Sequence, residues 1–133
     1  MLYPLLAMVA LVFALLTLGF VMRFRAVKRR EVSMGYFRLL TGDAPMYLQQ
    51  ASRHYSNLFE MPVLFYAAAV ICVLYPIEGT AVTALGWAYV IARVFHAAIH
   101  LTYNNVLHRA LAFQAGNVVL VALWVIIGLT LAG

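Results

Sequence analysis

Two short runs of polar residues interrupt an otherwise apolar chain. Arg53, Asn57 and Glu60 are spaced four and then three apart, and Arg93, His96 and His100 are spaced three and then four apart. At about 100° per residue each triplet falls within about 60° of one helix face. Ionisable groups among apolar neighbours are costly and face a bundle interior or an aqueous cavity, so these stripes read as the wall of a polar pocket. Glu60 and Arg93 stand at equal depth, roughly 20 to 22 Å from the turn that joins their helices. A carboxylate and a guanidinium at one level are expected to pair, which would also lock the two helices together. Pro62 removes a donor and crowds the carbonyl of Leu58, predicting a kink beside Asn57 and Glu60. His96 and His100 alone leave a zinc site short of ligands, so no metal is expected. The chain has no glycine-rich phosphate loop, no Gly-x-Ser-x-Gly elbow and no Cys-x-x-Cys, which removes support for nucleotide hydrolysis, serine chemistry and thiol redox by the protein's own cysteines.

The elements that must carry these residues are membrane helices. The 133 residues are 66% hydrophobic and 10% charged, far from the balance of a soluble domain. Residues 1–22, 61–77, 79–92 and 110–133 hold no formal charge, and a crossing helix needs about 20 mostly apolar residues. The expected fold is therefore all-α, an integral membrane four-helix bundle forming one domain over 1–133, with helices at about 3–27, 45–75, 80–103 and 107–131. Asp43 is expected to cap the second helix and Pro45 to sit in its first turn. Gly86, Gly116 and Gly128 are expected to let helices approach closely. The Tyr and Phe residues near the span ends read as interfacial anchors.

Seven of the nine basic residues (Arg23, Arg25, Lys28, Arg29, Arg30, Arg38 and Arg53) lie between positions 23 and 53. The positive-inside rule puts that segment in the cytoplasm and the amino terminus outside. The net charge of +5 is thus an orientation signal, not a nucleic-acid footprint. Cys72 is the single cysteine, so no internal disulfide forms. The first span reads as an anchor and not a cleaved signal. A chain this compact, without extra tails, points to a bacterial inner membrane.

The segment Arg53-His-Tyr-Ser-Asn57-Leu-Phe-Glu60-Met-Pro62-Val-Leu-Phe, followed by Arg93-Val-Phe-His96-Ala-Ala-Ile-His100 and by Arg109, resembles the signature of the MAPEG family, the membrane-associated proteins in eicosanoid and glutathione metabolism, in a bacterial-type member. The resemblance implies a homotrimer of four-helix protomers with a glutathione site between neighbours near the cytoplasmic face. Glutathione carries two carboxylates, an ammonium and a thiol. By the same resemblance Arg23 (or, as second choice, Arg25), Arg53, Asn57, Glu60, His96 and His100 contact the tripeptide, and Arg109 holds its thiolate. Arg53 would grip a carboxylate, Glu60 the ammonium and Asn57 the peptide groups. Two positions depart from the family pattern: Ala110 stands where a prostaglandin E synthase of the family has a thiol-contacting serine, and His100 stands where a tyrosine is usual. Thiolate stabilisation would then rest on Arg109, with His100 or the hydroxyl of Tyr103 as substitute donor.

The function so implied is a glutathione transferase or peroxidase acting on lipophilic electrophiles that arrive from the bilayer. Its alternative is a non-catalytic lipid-binding or scaffold protein of the same fold, since the family includes an activator of a lipoxygenase. A small transporter with Glu60 as proton site is a third class, and the expected Glu60–Arg93 pair counts against it.

Overall fold

The computed structural model describes residues 1–40 and 42–133. It is built from helices α1 (Leu2–Lys28), α2 (Tyr36–Leu39), α3 (Met46–Asn57), α4 (Met61–Leu74), α5 (Thr80–Leu101) and α6 (Val106–Ala132), with no strand among the described residues. Four segments are long and apolar enough to cross a membrane: Leu2–Lys28, Met46–Leu74, Thr80–Leu101 and Val106–Ala132. All-helical architecture is what a bilayer demands, because each segment must satisfy its own backbone groups.

The core runs through the middle of the bundle. Phe65 of α4 stacks on Tyr89 of α5 with ring centroids 4.5 Å apart, and Met8, Leu120 and Leu123 close around them. In lipid such contacts work through close packing and dispersion, since leaving hydrocarbon for a protein interior frees little water. Outward, Phe13, Phe20, Val118, Val121 and Leu129 remain exposed, as they must on a surface meeting acyl chains. A smaller cluster of Ala26, Val32, Tyr36 and Leu48 packs the basic end. There the Tyr47 hydroxyl donates to Glu31, and α2, a single turn within the basic segment, supplies Tyr36. The sequence pattern does not announce α2, because one turn is too short to show a period.

Small residues set the helix spacing unevenly. A Cβ at Gly86 would come within 3.0 Å of the Pro4 ring, so α1 lies against α5 only because position 86 has no side chain. Gly116 is in ordinary contact range of Ala92 and Tyr89, whereas Gly128 has nothing within 4 Å. The expectation of close packing thus fails at Gly128 within one chain.

The second span departs most from the expected course. α3 stops at Asn57 and α4 starts at Met61, leaving Leu58, Phe59 and Glu60 between two helices in place of one kinked rod. Pro62 sits in the first turn of α4, where its missing N–H is no loss. At the other end of α3, Pro45 occupies the position before the first helical residue and no side chain caps it. Asp43 therefore does not cap; instead the Pro45 carbonyl accepts from Leu48 and Gln49 N–H.

Overfilling the α1–α5 contact should be felt directly. Gly86→Leu is expected to destabilise the protein by about 1–3 kcal/mol, read as a lower thermal unfolding midpoint in detergent. Gly128→Ala is expected to leave the midpoint unchanged.

Candidate functional site

The break in the second span decides which side chains meet. α3 ends at Asn57, where the tightened last turn pairs the Tyr55 and Ser56 carbonyls with Leu58 and Phe59 N–H, and its terminal carbonyls carry the negative end of a helix dipole. Arg93, buried at 3% exposure, reaches this end and donates from Nη2 to the Asn57 carbonyl at 3.3 Å. Its guanidinium also lies over the Phe113 ring, 5.6 Å from the centroid. The ion pair expected between Glu60 and Arg93 is not formed; among the described residues the ion pair within 4 Å is Arg29–Glu31. Equal depth brings two side chains together only where the helix runs on with its rotation unchanged, and a full break alters that rotation as a mere kink does not. The break at 58–60 turns Glu60 outward to an exposed position before α4, and a helix terminus takes its place as counter-charge.

Beside this junction Arg53, Ser56 and Asn57 of α3, His96 and His100 of α5, and Arg109, Ala110 and Phe113 of α6 line one recess of about 470 Å³. That volume falls within the range of small-molecule sites, roughly 300–1,000 Å³. Five side chains singled out in the sequence, Arg53, Asn57, His96, His100 and Arg109, come together here. Glu60 and Arg23 do not line this recess within one chain. The Arg23 guanidinium lies over Tyr55 at 5.2 Å and lines a separate pocket between α1 and α3.

Arg109 is fixed at both ends. The α5–α6 turn passes through Asn104 at φ +48°, a left-handed conformation that asparagine tolerates better than most residues. Its Oδ1 accepts from Arg109 Nη1 at 2.9 Å. Asn105 caps α6 by accepting from the His108 N–H at 3.0 Å. One helical turn across, His96 Nδ1 donates to the Arg109 carbonyl at 3.2 Å. A carbonyl can only accept, so the proton sits on Nδ1, and His96 Nε2 is left without a partner in the protein. Tyr103, entertained as a substitute hydroxyl, instead bonds His108 Nδ1 at 3.1 Å and stands exposed outside the recess.

Two residues escaped the sequence reading. His54, at 3% exposure, packs its ring 5.9 Å from His96 and 5.2 Å from His100, and His96 lies 5.7 Å from His100. His54 continues the buried face of Leu48 and Ala51 at three-residue spacing, which is the signal that could have found it: a histidine on a helix's inward stripe. Its two ring nitrogens, His96 Nε2 and His100 Nδ1 have no hydrogen-bond partner in the protein. Among the described residues no group of three or more His, Cys, Asp or Glu side chains is placed to hold a metal ion. Asn104, which orients Arg109, was likewise missed, because a turn residue shows no periodicity.

The arrangement can hold an anion at two points, with guanidiniums from α3 and α6. Between them stand an amide and the imidazoles of His96 and His100, each with one ring nitrogen unpartnered in the protein. No match was found among curated proteins or among solved structures. A family model does match, over residues 4–129. A chain that the family pattern covers from its first membrane helix to its last, with four helices able to span a bilayer, is a multi-pass membrane protein belonging to the MAPEG family.

Proposed function

We propose that this protein binds glutathione in the recess between α3, α5 and α6 and transfers it to lipophilic electrophiles. The observation that carries the reading is the convergence of Arg53, Asn57, His96, His100 and Arg109, drawn from three helices, on one cavity. Arg53 meets a carboxylate through paired N–H donors. Asn57 and the free nitrogens of His96 and His100 bond the peptide groups. Arg109, held by Asn104, faces the thiol and favours its charged form. Glu60, exposed before α4, takes the ammonium at the boundary with a neighbouring protomer. This fits a homotrimer whose sites lie between subunits. The basic segment then faces the cytoplasm, in a bacterial inner membrane.

In the reaction the thiolate sulfur forms a bond to an electrophilic carbon, and the thiol proton passes to the leaving group or to water at the mouth of the recess. With a hydroperoxide, the sulfur is oxidised as the O–O bond breaks, and a second glutathione completes the reduction. Alignment and a desolvated nucleophile supply the rate. The presence of Ala110 beside Arg109 in the wall favours one second reading, a non-catalytic lipid-binding or scaffold protein, because no hydroxyl donor assists Arg109 there.

Three measurements on detergent-purified protein separate these readings. Calorimetry is expected to detect glutathione binding, weakened about 10-fold or more by Arg53→Gln, the scale of a lost charge-assisted contact; absent binding in the wild type leaves only the scaffold. Turnover of chlorodinitrobenzene with glutathione should fall about 100-fold in Arg109→Ala, the effect of losing one charge-stabilising donor, with the fold intact by circular dichroism. Equal rates remove Arg109 from the role. Asn104→Gly keeps the left-handed turn but deletes the bond to Arg109, and kcat is expected to drop about fivefold with KM little changed.

A further inference from the structure

A further cavity, of about 310 Å³, opens where α2 meets α3 at the basic end of the bundle. Gln49, Ser52, Arg53 and Ser56 line it from α3, and Tyr36 lines it from α2. Their spacing of three, one and three places the four α3 residues within about 100° of one helix face. Arg53 and Ser56 also line the glutathione recess, so the two cavities share a wall.

The chemistry of this cavity is that of donors without an acceptor. Arg53 is the charged side chain in its lining, and no carboxylate lines it. The guanidinium is exposed, and among the described residues no carboxylate lies within 4 Å of it. Ser52 Oγ is enclosed with no hydrogen-bond partner in the protein, a cost that an acceptor would remove, and a single side-chain torsion decides whether that hydroxyl points into the cavity its residue lines. Gln49 Nε2 is committed to the Ala44 carbonyl at 2.9 Å, so the hydroxyls and the guanidinium are the donors left. Around the mouth, the segment from Arg23 to Arg53 sets seven cations against Glu31 and Asp43, and Glu31 is already held by Tyr47 and Arg29. Such a field attracts anions. The two paired N–H donors of a guanidinium satisfy a planar carboxylate on their own. Hydroxyls one helical turn apart beside that guanidinium add donors outside its plane, which a tetrahedral oxyanion uses and a carboxylate does not.

We propose that this cavity binds a phosphate group, its oxygens accepting from Arg53 and from the hydroxyls of Ser52 and Ser56. The group belongs either to the headgroup of an acidic lipid or to a soluble phosphate ester. Arg53 faces the recess as well, so a phosphate here and a glutathione carboxylate there share one positive charge, and each weakens the binding of the other. That coupling rests on the glutathione reading above; the phosphate site does not.

The test titrates inorganic phosphate into the full-length protein in an uncharged detergent and follows phosphorus-31 line broadening. Saturable broadening is expected, and acetate at equal ionic strength should displace phosphate from the wild type only at concentrations about 10-fold higher. Ser52→Ala should weaken phosphate binding about 10-fold, the scale of one hydrogen bond to a charged group, with glutathione affinity in phosphate-free buffer unchanged. Saturating phosphate should raise the glutathione Kd of the wild type about fivefold. Displacement of phosphate by dihexanoyl phosphatidylglycerol at lower concentration than by glycerol phosphate assigns the site to a lipid headgroup, and the reverse order assigns it to a soluble ester. Acetate competing as well as phosphate itself would overturn the assignment, because any exposed cation would do the same. So would phosphate binding unchanged in Ser52→Ala at an unaltered unfolding midpoint. The acetate comparison uses wild-type protein and holds even if the variant misfolds. A wild type that binds phosphate but not glutathione leaves the phosphate site standing and removes the coupling alone.

Discussion

The break that ends α3 and the arginine that bonds its last carbonyl are the pair on which the rest of this molecule depends. The second span breaks at 58–60, just before Pro62 opens α4, and the Asn57 carbonyl at the end of α3 needs a donor in a medium that supplies none. Arg93 meets that need from α5. The same contact solves the arginine's own problem, since a guanidinium at 3% exposure must have a counter-charge, and the end of a helix dipole provides one without a carboxylate. With Arg93 so occupied, Glu60 is free to stand outside, and the final turn of α3 is held against α5 with Arg53 and Asn57 beside His96 and His100.

This junction explains why the polar groups gather at one end of the bundle. Toward the far end α1, α4, α5 and α6 meet through Phe65, Tyr89 and the leucines around them, with the Tyr89 hydroxyl enclosed there without a partner in the protein. At the basic end the chain uses its irregular features: the 58–60 break, the left-handed Asn104, and the cap at Asn105. At the break and at the cap, backbone groups turn to side chains for bonding, and Asn104 holds the Arg109 guanidinium of the recess wall, so broken secondary structure and the polar recess coincide. That coincidence is physical, because polar backbone at membrane depth persists only where protein or a wet cavity surrounds it.

The spans and the all-helical architecture were legible because uncharged runs of membrane-crossing length have few other outcomes. The convergence of Arg53, Asn57, His96, His100 and Arg109 was legible from helical spacing together with a family resemblance. What escaped reading was local. The Glu60–Arg93 pair followed correctly from depth along an unbroken helix and failed because the break changes rotation as well as height. Asp43 looked like a cap but the Pro45 carbonyl does that work. His54 passed unnoticed because its neighbour Arg53 drew the chemistry, although its spacing from Leu48 and Ala51 marked it as inward-facing. Asn104 carries no pattern that a sequence can display, since its importance lies in a turn's handedness.

The central claim is that cations fixed at the basic end of an apolar bundle grip glutathione and hold its sulfur as the thiolate. An ultraviolet difference titration of glutathione with the purified protein reads that species directly. A thiolate band should appear at neutral pH, saturate with glutathione and vanish in Arg109→Ala. A spectrum with no thiolate above that of free glutathione, at concentrations where the tripeptide is bound, would contradict the account.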